Sequence, residues 1–161
     1  MGSTAPLVHI GYHKTATTFL QQELFADDRT FQAPWKPQSA EAIEHFVLTH
    51  PRRFDPGAIR DSFLATCRDD GRVPVISHEA LAGNPVYRRY NSDRIAARIA
   101  ACFPDACILI GVREQASLLH SLYLQYISQG GTEDIHAMLR QNADHIGFRP
   151  LLRMDFFLNT T

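Results

Sequence analysis

Lys14, Thr15, Thr17 and Thr18 crowd the stretch that follows a short apolar run, Leu7-Val8-His9-Ile10, closed by Gly11. Strand, tight turn with a lysine and hydroxyls, then helix is the sequence pattern of an anion site. The first backbone N–H groups of a helix have no partner inside it, and the helix dipole leaves partial positive charge there. Lys14 adds a full charge and the threonines add hydroxyl donors, so a phosphate is the expected ligand. The plainer alternative is a lysine and threonines that cap an ordinary helix. A second group is Arg113, which closes the apolar run Ala106 to Val112, with Ser121 eight residues on. Arginine offers a planar fork to phosphate and a serine hydroxyl adds one donor. Its plain alternative is an arginine paired with Glu114 or Asp105 and a serine on a polar helix face. The third group is His78 and Glu79, directly after the run Val73 to Ser77. Either side chain can take a proton from an attacking hydroxyl. With ordinary pKa values of about 4.3 for glutamate and about 6.5 for histidine, His78 is the better base without tuning. Alternatively Glu79 caps the next turn and His78 is solvated. No metal is implied: His9 and His13 fall on a strand and a loop rather than on one helix face, and no His-Glu-x-x-His or carboxylate cluster is present.

The elements that must position these groups follow from apolar spacing. A first strand over Leu7 to Ile10 leads to a helix over about 15–25, which Gly11 and the polar turn separate. Phe25 to Pro37 reads as irregular, with Trp35 packed down as an anchor. Ala42, Ile43, Phe46 and Val47 mark a helix within 38–50, and Pro51 ends it. Pro56 opens another, with Ile59, Phe63 and Cys67 on one stripe and Asp69-Asp70-Gly71 as its stop. Val73 to Ser77 is a strand whose proline places its start at Val75. Ser92 caps a helix with Ile95, Ile99, Cys102 and Phe103 inward and Arg94 and Arg98 outward. Ala106 to Val112 is continuously apolar, as in a parallel strand covered on both faces. Helices follow over 114–127, ended by Gly130-Gly131, then near 132–140 and near 150–157. Strands alternating with helices predict an α/β fold with a central parallel sheet, and ligands on such sheets bind at the carboxyl ends of the strands. The loop after Ile10, the loop after Ser77, and Arg113 are expected to gather at that edge.

The first group does not match the nucleotide-triphosphate loop, G-x-x-x-x-G-K-S/T, because no second glycine precedes Lys14. It resembles instead the 5′-phosphate-binding loop of the PAPS-dependent sulfotransferases, Lys-Ser/Thr-Gly-Thr-Ser/Thr after the first strand, with Ala16 at the place of the glycine (PAPS is 3′-phosphoadenosine 5′-phosphosulfate). If that residue needs a positive φ, alanine there costs about 1 kcal/mol or more. Arg113 to Gly131 resembles the family's 3′-phosphate element: an arginine ending a strand, a serine eight residues later, then aromatics and a glycine. Glu114-Gln115 stands where the family often has Asn-Pro. The resemblance covers about Val8 to Gly131. It implies a three-layer α/β/α, P-loop-like sulfotransferase fold. It implies binding of PAPS through Lys14, Thr15, Ala16, Thr17, Thr18, Arg113 and Ser121, and catalysis by Lys14 with Glu79 or His78 as base. The Ser-x-Glu form of similar bacterial-type sequences favours Glu79. Family members continue into a basic, glycine-containing loop beyond the point where this sequence ends at Thr161, so 1–161 is expected to be one domain lacking that portion.

Composition bounds the rest. In 161 residues, 45% are hydrophobic and 20% charged, an ordinary globular balance. The net charge of −1 gives no case for nucleic acid as a partner. Cys67, Cys102 and Cys107 lack Cys-x-x-Cys spacing and are expected to be reduced and buried. No apolar run is long enough for a membrane span and the N-terminus lacks a signal-peptide pattern, so a cytoplasmic location is expected. The expected activity is transfer of a sulfuryl group from PAPS to a hydroxyl or amine on a small-molecule or saccharide acceptor. The rivals are a module that binds PAP or PAPS without turnover, and a divergent nucleotide kinase. The kinase would want a strand-end aspartate, which neither Val73 to Ser77 nor Ala106 to Val112 provides. Acceptor identity and oligomeric state are not encoded in any motif.

Overall fold

The structure, a computed structural model, describes residues 5–11, 15–36, 40–82 and 91–138. Two compact units divide the chain, one from Met1–Gly83 with Asn91–Val112, the other from Asn84–Tyr90 with Arg113–Thr161. In the first unit the apolar runs form strands β1 (Leu7–Gly11), β3 (Val73–Ser77) and β4 (Cys107–Gly111), joined by a two-residue strand, β2 (Phe31–Gln32). All pairings are parallel, in the order β2-β3-β1-β4. β2 falls where the sequence reads as irregular. Two residues carry no periodicity, and it exists because Phe31 finds Val73 beside it.

Between the strands lie helices. α1 (Thr17–Phe19) runs without a break into a π-turn (Leu20–Leu24), and α2 (Ala40–Ile43) does the same into Glu44–Leu48. α3 (Pro56–Thr66) has Pro56 in its first turn and the Asp55 carboxylate accepting from Ala58 N–H at 3.0 Å. It stops at Cys67, before the expected Asp69-Asp70-Gly71. α4 (Ser92–Cys102) follows Asn91, so the cap lies one residue before Ser92.

The register explains the layering. Val8 pairs with Ile76 and His9 with Ser77, so alternation sends the first pair to one face of the sheet and the second to the other. Val8 and Ile76 join Trp35, Phe46, Ile59, Phe63, Ile95, Ile99 and Phe103 in the core. The Trp35 and Phe63 rings meet edge-on at 4.9 Å and Phe63 meets Phe103 at 5.1 Å, an arrangement that suits their quadrupoles. His9 and Ser77 face the helix after β1. The unit is thus α/β with a parallel sheet and helices, compatible with a three-layer α/β/α fold.

Four expectations need correction. β3 starts at Val73 and includes Pro74. Val73 N–H bonds Thr30 O on the β2 side, and the β1 ladder begins only at Leu7 opposite Val75, so the missing N–H of Pro74 interrupts nothing. Arg98 does not face outward; it is 5% exposed. Its guanidinium donates to Phe46 O at 3.0 Å and to Thr49 O, carbonyls at the C-terminal end of the α2 helix, and lies over the Phe54 ring. Among the described residues β4 pairs with β1 alone, and its side chains are exposed, Ile110 at 52%, where a strand buried on both faces is expected. Of the three free cysteines only Cys102 is buried, and burial pushes its thiol up to about 11; Cys107 is exposed and Cys67 half-buried.

In the second unit α5 (Gln115–Ser128) carries buried Leu118. Its Tyr123 hydroxyl donates to Glu133 O at 3.2 Å, and the Tyr126 hydroxyl accepts from Glu133 N–H at 3.4 Å. These rings fasten the following loop. A helical turn at 135–138, with the Asp134 carboxylate accepting from Ala137 N–H, stands within the helix expected near 132–140. The helix expected near 150–157 lies outside the described residues.

Candidate anion loop and strand-end turn

β1 ends at Gly11, and the chain resumes its described course at Thr15; Lys14 and His13 lie outside the described residues. Ala16 caps the helix with φ 63° and ψ 25°, in the left-handed region. Leu20 N–H bonds Ala16 O at 3.0 Å and closes the first turn. The N–H groups of Thr17, Thr18 and Phe19 precede that bond and have no partner inside the helix. A left-handed residue feeding a helix turns successive N–H groups toward one concavity, a shape that suits an anion.

The floor of this turn is a pair of glycines. Gly11 stands opposite Gly111 in the β1–β4 ladder. A Cβ on Gly11 would overlap the Thr17 hydroxyl, and one on Gly111 would stand 3.0 Å from Thr15 Oγ1. The absent side chains let the loop lie flat on the strand ends. The threonines therefore have different surroundings. Thr17 is 6% exposed, and its hydroxyl has no hydrogen-bond partner among the described residues. Thr18 is exposed and Thr15 half-buried.

Because the strands are parallel, the turn after β3 shares the sheet edge with this loop. His78 N–H continues the ladder to His9 O at 3.3 Å, and Glu79–Ala82 forms a 3-10 turn. His78 Nδ1 accepts the Ala80 N–H at 3.0 Å. The neutral ring then carries its proton on Nε2, with its lone pair already engaged. His78 is thus the cap of the turn, and Glu79 is half-buried beside it. Between loop and turn lies a buried polar cluster absent from the sequence-based expectations. His9 Nδ1 and Ser77 Oγ are 2.8 Å apart, and Gln21 Nε2 donates to both Ser77 O and Ser77 Oγ at 3.1 Å. Burial lowers the His9 pKa below its usual 6.5. The signal that could have found the cluster is parity: His9 and Ser77 are each polar within an apolar run.

Arg113 and Ser121 belong to the second unit. Arg113 is exposed, two residues past β4, and Ser121 sits half-buried on α5. Glu114 accepts from Ala116 N–H and Ser117 N–H, both at 2.7 Å, which lowers its pKa. It caps the helix with both oxygens. Among the described residues no group of histidine, cysteine and carboxylates has the arrangement to hold a metal, and no helix is long and apolar enough to cross a membrane. No protein-family model, curated protein or solved structure matches this chain. The strand-turn-helix built from β1, Ala16 and α1 stands on its own geometry: helix-entry N–H groups with no partner inside the helix, laid on paired glycines, beside a turn that carries Glu79.

Proposed function

We propose that this chain is a sulfotransferase domain that uses PAPS as sulfuryl donor and a hydroxyl or amine on a small-molecule or saccharide as acceptor. The observation that carries the reading is the left-handed Ala16 opening a helix at the end of β1, where the sulfotransferase loop has glycine. In this proposal the N–H groups of Ala16, Thr17 and Thr18, with Lys14 and the Thr15 and Thr18 hydroxyls, receive the 5′-phosphosulfate. Arg113 and Ser121 receive the 3′-phosphate. Glu79 takes the proton from the acceptor, because the His78 lone pair is spent on Ala80 N–H. The acceptor oxygen or nitrogen bonds to sulfur, the bond from sulfur to the 5′-phosphate oxygen breaks, and PAP leaves. Lys14 stabilises the charge that grows on the departing oxygen, the usual demand of in-line transfer.

A thermal-shift titration tests this. PAP, the 3′,5′-bisphosphate, is expected to raise the Tm, and AMP, without the 3′-phosphate, is not. Equal shifts for the two nucleotides would overturn the proposal. A PAP shift without sulfate transfer to any of a panel of alcohols, phenols, amines and sugars would reduce it to binding alone.

A further inference from the structure

Gln21 sits one turn into the helix that begins at Thr17, and Ser77 stands two residues before Glu79. The amide of Gln21 donates to both the carbonyl and the hydroxyl of Ser77, while His9 holds that hydroxyl from β1. His9, Ser77 and Gln21 are 0%, 6% and 2% exposed. Apolar residues of similar size would serve a core at least as well, since buried polar networks stabilise only when every member is satisfied. This one is not: its member His9 Nε2 is buried without a hydrogen-bond partner among the described residues. We propose that Gln21, Ser77 and His9 are positioning residues, a brace that locks the helix behind the anion loop to the turn carrying Glu79. The brace sets how far the transferred group stands from the proton acceptor. It rests on the sulfotransferase reading for what Glu79 does, but not for the mechanical link itself.

Amide hydrogen exchange of the full chain decides it. The Ala80 and Leu81 N–H groups bond His78 Nδ1 and His78 O, so they report the order of the turn. Without ligand, Gln21→Met is expected to speed exchange of these two amides about fivefold relative to wild type. The amides of Ile59–Phe63 in α3 should change only by the global loss of stability. Ser77→Ala is the second variant should Gln21→Met fail to fold. Unchanged exchange at Ala80 and Leu81, or a uniform rise across the chain, overturns the brace. The second arm adds PAP. In wild type PAP is expected to slow the two amides; in Gln21→Met it should still raise the Tm yet no longer slow them. Equal slowing in both proteins overturns the link. PAP without effect on wild-type Tm removes the sulfotransferase reading instead, and the ligand-free comparison still decides the brace.

Discussion

Alanine at φ 63° strains the backbone at the entry to the loop. The left-handed region presses Cβ against the following carbonyl, at a cost of about 1 kcal/mol relative to glycine. Ala16→Gly is therefore expected to raise the Tm by about 2–4 °C for a chain of this length; an unchanged or lower Tm in a calorimetric scan would show that the strain is relieved elsewhere. The neighbouring threonine makes the opposite experiment. The Thr17 hydroxyl is buried over Gly11 without a partner among the described residues, and an unmet buried hydroxyl costs about 1–3 kcal/mol. Thr17→Val keeps the shape and removes the hydroxyl. It should stabilise the protein in urea by about 1 kcal/mol and leave the PAP-induced Tm shift intact. Loss of that shift would mean that the hydroxyl turns out to meet the nucleotide. Strain and an orphaned group side by side in one loop are what a binding segment tolerates and a purely structural turn has no reason to keep.

The same logic read at the level of elements assigns Arg98 a structural duty. Its guanidinium spans Phe46 O and Thr49 O, and Arg94 reaches Val47 O at 3.4 Å. The end of the α2 helix thus receives its donors from α4. Arg98→Met should cost about 2–4 kcal/mol in urea denaturation, with Arg98→Lys recovering only part, because a single ammonium cannot present the planar fork. Full recovery by lysine would show that charge alone matters. This residue also marks where the sequence stops being informative. The three longer strands, the α3 and α4 helices and the buried Trp35 are legible in place, since apolar period reports local structure directly; the start of β3 is not, because Pro74 sits where its missing N–H interrupts no ladder bond. Arg98 is not, because the carbonyls that draw it inward belong to a helix distant in sequence. β2 and the π-turns are hidden for a related reason: a two-residue strand and an i→i+5 bond leave no periodicity. The succession of strand, turn and helix around Ala16 is legible from its residue types, whereas the His9–Ser77–Gln21 brace depends on the β1–β3 register, which no single segment encodes.

For the molecule as a whole, these buried and capped groups predict two separate limbs of acid sensitivity. His9 is fully buried and its pKa lies below the usual 6.5, because burial disfavours the charged ring. The unfolded chain therefore takes up this proton first as pH falls. Stability is complete above about 6.5 and declines below it, with a slope of up to about 1.4 kcal/mol per pH unit, until the folded pKa is reached. The carboxylates act lower. Asp27 is depressed by its hydrogen bonds from Thr30 and Arg29, Asp70 by those from Arg72, and Glu114 by those from Ser117 and Ala116. Their contribution is present above the usual 3.8 of aspartate and 4.5 of glutamate and is lost as pH falls through the folded values. Urea midpoints measured from pH 7.5 down to 3 should thus begin to fall below about 6.5 and fall again below 4.5. His9→Gln keeps an amide that can meet Ser77 but does not titrate, so it should flatten the upper limb and leave the lower one. Identical upper limbs in both proteins would place the proton on another group and mean that the His9 imidazole titrates alike in folded and unfolded chain. A flattened upper limb would show that the brace beneath the loop after β1 is itself the acid-sensitive joint, which ties the order of that loop to pH.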